Sequence, residues 1–232
     1  MQIEMLSRPA GTVAKVTLGK GEVLTAEKGA MLAMSQNLVV ETTSQKKGGK
    51  GGLMSMLKSM LRWFSGESFF INHFTSNGEG EEIYVGPPLI GDVVHHKNTG
   101  GTLIIQGTSW MASSADIEVS TMMQKLTAGF FGGDGLFWVK CTGNGDILLN
   151  SFGAIYEVDV KDTYTVDTGH IVAYEDTLQF KVGQASKSLI GSILGGEGLV
   201  AKFSGSGKLY CQTHNPPSFG GALGPNLKPV QR

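Results

Sequence analysis

The sequence is poor in charge and in cysteine, and it has no long apolar run. Only 17% of its 232 residues are charged, 19 Lys and Arg against 20 Asp and Glu, for a formal net charge of −1. So even a balance gives the chain as a whole no electrostatic pull toward nucleic acid or anionic lipid. Its two cysteines, Cys141 and Cys211, lie far apart and share no CxxC or Cys/His ligand spacing, which argues against a zinc finger or a redox pair. They read as buried free thiols. No apolar stretch reaches the roughly 18 residues that a membrane span needs. The opening MQIEMLSRPAGTV has no basic segment leading into an apolar one, so the expected compartment is the cytoplasm.

Glycine is abundant. Thirty-four Gly beside 41% apolar and 8% aromatic residues point to many tight turns between short strands, an all-β chain with enough apolar content for a sizeable core.

The chain also repeats itself. AMLAMSQNLVV (30–40), SWMASSADIEV (109–119) and HIVAYEDTLQF (170–180) each give an apolar strand, a polar turn and a second strand, with Ala33, Ala112 and Ala173 in register. A second element follows each time, near Ser65, Gly132 and Gly195. It opens on a Gly-acid pair (Gly66-Glu67, Gly133-Asp134, Gly196-Glu197) and carries an Asn-Gly or Ser-Gly step (Asn77-Gly78, Asn144-Gly145, Ser206-Gly207), so it reads as a β-hairpin. Three modules are expected, 1–82, 83–146 and 147–232, related by an approximate threefold axis, the last ending in a Gly/Pro-rich tail.

In the first copy, LMSMLKSMLRWF occupies the slot ahead of the Gly-acid pair. Leu53, Met56, Leu57, Met60, Leu61 and Phe64 recur at i, i+3, i+4, i+7, i+8 and i+11, which predicts a short amphipathic helix over 53–64. A helix this short is marginal alone in water, so the stripe needs a cover. Behind a Gly/Lys linker it is the candidate contact with another subunit or a partner.

The residue types that carry chemistry fall in structural positions. His73 aligns with Lys140 and Lys202, a polar outward position. His95 and His96 are neighbours on a strand, so they point to opposite faces, one inward and one outward, and cannot easily chelate one metal. His170 and His214 stand alone. Gly19-Lys20, Gly49-Lys50 and Gly207-Lys208 lack the Ser or Thr and the glycine frame of a phosphate loop, and Ser206 lacks a nucleophile-elbow frame. Acids that recur at three equivalent turns suit backbone capping better than acid–base chemistry, which needs two carboxylates in unequal environments.

GEVLTAEKGAMLAMS, GGDGLFWVKCTGNGDILLN and GGEGLVAKFSGSGKLYCQ together resemble the recurring motifs of the altered-inheritance-of-mitochondria family, over about Ile3 to Leu223. The resemblance implies a triplicated short double-stranded β-helix like the tryptophan RNA-binding attenuation protein. It also implies homo-oligomers, trimers or rings, with no catalytic residues and no cofactor to carry over. Its mitochondrial relatives are implicated in inner-membrane architecture; this chain shows no presequence, so only fold and scaffold character transfer. The expected function is a non-enzymatic, self-assembling β scaffold that organises protein or membrane-associated partners. One alternative is an RNA-binding ring, which rests only on His73, Lys140 and Lys202. The other is a cupin-like metal enzyme, for which His95-His96 lacks the required spacer.

Overall fold

The computed structural model describes residues 1–44, 70–124, 136–184 and 199–227. The predicted helix over 53–64 and the three Gly-acid pairs lie outside these residues.

The fold is predominantly β. Its strands are β1 (Gln2–Leu6), β2 (Val13–Leu18), β3 (Val23–Glu27), β4 (Met31–Met34), β5 (Leu38–Ser44), β6 (Phe70–Ser76), β7 (Glu81–Val85), β8 (Val93–Gln106), β9 (Trp110–Ser114), β10 (Ile117–Gln124), β11 (Leu136–Asn150), β12 (Ile155–Val160), β13 (Thr163–Asp167), β14 (Ile171–Glu175), β15 (Leu178–Gln184), β16 (Leu199–Gly205) and β17 (Gly207–Gln212). Among the described residues they form a four-stranded sheet in the order β1-β2-β7-β4, a ten-stranded sheet and a three-stranded sheet in the order β13-β16-β15. The ten-stranded sheet runs β12-β17-β14-β8-β11-β9-β3-β6-β5, with β10 paired to β11.

Local sequence explains the simplest strand. β2 alternates apolar and polar side chains, and Ala14, Val16 and Leu18 are buried while Val13, Lys15 and Thr17 are not. β9, in contrast, is buried along its whole length, with Met111 and Ala112 in one apolar cluster and Trp110 in another.

Strands β4, β9 and β14 share one irregularity. Met31 and Ala33 face Val85 and Tyr84 on β7, Trp110 and Ala112 face Leu149 and Leu148 on β11, and Ile171 and Ala173 face Cys211 and Tyr210 on β17. Leu32, Met111 and Val172 are the residues skipped, each one place before the aligned alanine. A bulge of this kind bends a strand and re-aims its side chains.

The expected hairpins are corrected by the pairing. β6 lies in the ten-stranded sheet and β7 in the four-stranded one, while β16 lies in the three-stranded sheet and β17 in the ten-stranded one. β11 runs straight through Asn144-Gly145 with a register shift. A Gly-containing step fixes a local bend but not which strand receives the backbone hydrogen bonds. Here the bends carry the chain from one set of partners to another, and Gly143 and Gly205 accept φ values of 125° and 118° to do so.

The Gly/Pro-rich segment after β17 carries a helix. α1 (Pro216–Leu223) starts where the Asn215 side chain accepts a hydrogen bond from the Ser218 N–H, with proline in its first turn. No helix among the described residues is long and apolar enough to cross a membrane.

Apolar side chains gather in three clusters among the described residues. One joins β2 and β7 residues such as Val16, Ile83 and Val85 to Leu24, Met111 and Leu148. A second holds Leu103, Ile105, Trp110, Val172 and Ala173, and a third holds Trp138, Tyr174, Ala201 and Phe203. Trp138 meets Tyr174 edge-on, with centroids 5.5 Å apart, and Phe180 at 5.4 Å.

Candidate functional site

The most concentrated polar site lies where the segments leading into β2, β8 and β12 converge. The N–H groups of Gly11 and Thr12 donate to the Gly91 carbonyl, at 3.0 and 3.1 Å, and the Asp92 N–H donates to the Gly153 carbonyl at 2.8 Å. Gly91 and Gly153 form a parallel bridge. The approach is so close that a Cβ on Gly91 would sit 1.7 Å from the Ser151 carbonyl oxygen. Asp92 is buried here. Its carboxylate accepts from Arg8 Nε and Nη2, from the Thr12 hydroxyl and from the Val93 N–H. Burial by itself pushes the carboxyl up, but the Arg8 and Thr12 bonds outweigh it and hold Asp92 below its ordinary value. Sequence reasoning missed this group, because a single Asp after Gly gives no local sign of a distant arginine.

The histidines fall as their alternation predicts. His95 is on the outer side, where its Nε2 lies 2.7 Å from an Asp146 oxygen that also accepts from Lys97 Nζ at 2.9 Å. His96 points the other way, is half-buried, and shares a 2.8 Å hydrogen bond with the Tyr210 hydroxyl. Burial moves His96 below the usual imidazole value. His73, which sequence alignment placed facing outward, is partly buried between the hydroxyls of Thr25 and Thr43 at 3.1 and 2.9 Å. Its counterparts Lys140 and Lys202 are exposed.

A groove of 570 Å³ runs beside Asp146 and is also lined by Glu22, Lys97, Ser114 and Asp116. Its serine is engaged structurally, since the Asp146 N–H donates to Ser114 Oγ at 3.0 Å. The same bond occurs at the two matching places, from the Glu82 N–H to Ser35 Oγ and from the Lys208 N–H to Glu175 Oε2. Asp146, Glu82 and Lys208 thus present backbone to a clamp whose acceptor lies two residues beyond Ala112, Ala33 or Ala173. Cys141 and Cys211 are buried free thiols, as expected.

The strand edges differ sharply in exposure. All four residues of β4 are exposed, although it carries the same bulge as β9, which is buried throughout. Its bulged Leu32 is 56% exposed, whereas Met111 and Val172 are 0% exposed. On β13, at the edge of the three-stranded sheet, Tyr164 is 42% exposed. A second groove, of 410 Å³, lies there between Tyr156, Tyr164 and Thr165.

The family model described as Mitochondrial biogenesis AIM24 matches residues 3–214. The chain belongs to the AIM24 family. The match spans every strand from β2 to β17 and the converging segments around Asp92. An uncharacterised protein of Streptococcus pyogenes serotype M6 is 29% identical over 215 residues, covering 91% of this chain and 85% of the relative. A crystal structure of a Streptococcus pyogenes protein superimposes with a TM-score of 0.77 at 26% identity, covering 97% of this chain and 99% of that one. This AIM24 chain and that protein therefore share their architecture over nearly their full lengths. The sequence-derived contact residues Leu53, Met56, Leu57, Met60, Leu61 and Phe64 lie outside the described residues.

Proposed function

We propose that the chain is a non-enzymatic β scaffold that assembles with itself, built from three copies of one module. The observation that carries this reading is the outer edge of β4, which has no strand partner among the described residues and where Met31, Leu32 and Met34 are exposed. An exposed apolar sheet edge invites another strand. The shared bulge and the repeated N–H clamp support the triplication. In this reading each module is taken to end with a whole strand, the first with β7, which pairs with β2, and the second with β11, which pairs with β8. The non-enzymatic part of the reading is supported by the positions of the titratable groups, since Asp92, His73, His96 and Asp146 each hold two chain segments together. A cytoplasmic location and an organising role toward protein or membrane-associated partners belong to the same proposal.

The stripe of Leu53, Met56, Leu57, Met60, Leu61 and Phe64 is a second candidate contact. Light scattering coupled to size-exclusion chromatography tests the assembly: a mass of several whole chains is expected, and a monomer at every loading overturns it. Exchanging Leu57 and Leu61 together for Asp tests the stripe in the same measurement, with loss of mass and retention of native circular dichroism expected.

A further inference from the structure

We infer that β13 of one copy pairs antiparallel with β4 of a second copy, head to tail. The inference rests on the proposed self-assembly and names its contact.

The two internal seams supply the rule. At the first, β3 pairs with β9, placing Leu24, Thr25 and Ala26 opposite Ser114, Ser113 and Ala112. At the second, the end of β8 pairs with β14, placing Leu103, Ile104 and Ile105 opposite Glu175, Tyr174 and Ala173. The geometry is the same at both: the aligned alanine faces the third residue of the run, and a bulged side chain, Met111 or Val172, is buried in one cluster with Leu24 or Leu103. Each seam thus joins the outgoing strand of one module to the bulged strand of the next.

One outgoing strand and one bulged strand are left over. β13 occupies the place of β3 and of the end of β8, because Thr165 faces Lys202 on β16 as Thr25 faces His73 on β6 and Ile104 faces Lys140 on β11. Among the described residues its one strand partner is β16, and that of β4 is β7. Exposure marks both edges as unfinished. Tyr164 stands where Leu24 and Leu103 are buried at 1% and 0%, and Leu32 stands where Met111 and Val172 are buried. Applying the internal register gives Val166 opposite Ala33, Thr165 opposite Met34 and Tyr164 opposite Ser35, with Leu32 seated toward the Tyr156–Tyr164 groove.

The surface that fits each edge is therefore supplied by the chain itself. Because the two edges are different patches, the contact is heterologous: it makes a ring if the rotation closes and a filament if it does not.

The test is crosslinking of the full chain. Directly opposed residues of an antiparallel pair hold their Cα atoms about 4.5–5.5 Å apart, within the range a disulfide spans. Chains carrying Met34→Cys are mixed with chains carrying Thr165→Cys under mild oxidation; a covalent dimer of one of each is expected. The double variant should give a ladder of covalent multimers. Val40→Cys, exposed on β5, mixed with Thr165→Cys should give none. Leu32→Lys, at a residue already exposed in the single chain, should keep native circular dichroism and lose assembled mass. An assembly of undiminished mass in which the Met34→Cys and Thr165→Cys chains form no covalent link overturns the pairing and leaves self-assembly standing. A double variant that yields only an internally bonded monomer overturns it in favour of closure within the chain. A monomeric wild type overturns both.

Discussion

Arg8 grips the carboxylate of Asp92, 84 residues further along the chain, through Nε to Oδ1 at 3.0 Å and Nη2 to Oδ2 at 2.8 Å. The pair ties the segment before β2 to the start of β8 at the point where three segments converge. Arg8 is half-exposed and Asp92 is buried, so the carboxylate depends on the contact more than the guanidinium does. Arg8→Ala leaves a buried charge with fewer donors, and we expect a loss on the order of 2–3 kcal/mol near neutral pH. The folded-state value of Asp92 is depressed, so its stabilising contribution is present above the unfolded carboxyl value and disappears as pH falls through the folded one. The gap between variant and wild type should accordingly narrow below about pH 4. Urea unfolding across pH measures it; a gap that ignores pH shows that the ion pair is not its source.

Gly91 is held by proximity. A Cβ there meets backbone, the Ser151 carbonyl at 1.7 Å, and relief would break the Gly91–Gly153 bridge and the Asp92 N–H bond to Gly153. Gly91→Ala should cost several kcal/mol, against about 0.5 kcal/mol or less for Gly101→Ala, where nothing lies within 4 Å of the added carbon. Equal midpoints for the two variants would contradict the close approach.

The strands were readable wherever burial is one-sided, as in β2, because alternation of Ala14, Val16 and Leu18 with polar neighbours is a local signal. The aligned alanines were readable too, and the structure gives each the same bulge. Strand partners were not. Asn77-Gly78 and Ser206-Gly207 look like hairpin tips because the bend is local, while the acceptor of each backbone N–H is chosen by packing elsewhere in the chain. The helix after Asn215 was signalled by Asn-Pro-Pro, an N-cap followed by first-turn prolines, although glycines behind it masked the pattern. At the converging segments, Thr12 and Asp92 read as ordinary turn residues; only the fold brings Arg8 to them. The exposure of Leu32 beside the burial of Met111 and Val172 depends on which neighbour is present, which periodicity alone cannot report.

The thiols give a direct probe of burial. Burial pushes Cys141 up to about 12 and Cys211 up to about 11, so neither supplies thiolate near neutral pH. A thiol-specific disulfide reagent should find no reactive cysteine in the native chain and both after unfolding in urea. Rapid reaction of either one in the native state would place it at the surface, and would also remove the quiet background that engineered cysteines need.

Glu27 closes β3, and burial pushes its carboxyl from an ordinary 4.5 up to about 7. The sign here is opposite to that of Asp92. Below about pH 4.5 the residue is protonated in both states and carries no penalty; between there and about pH 7 the unfolded chain releases a proton that the folded chain keeps. Stability from this group therefore falls as pH rises through that window and levels off above it, by on the order of 3 kcal/mol in all. Glu27→Gln preserves the side chain's shape and removes the ionisation. The variant should match wild type in acid and exceed it in mild alkali, with the difference opening between the two values. Because other carboxylates titrate in both chains alike, the difference curve isolates Glu27. Parallel urea midpoints from acid to alkali would show that its carboxyl ionises as it does in the unfolded chain, and that the end of β3 is open to water.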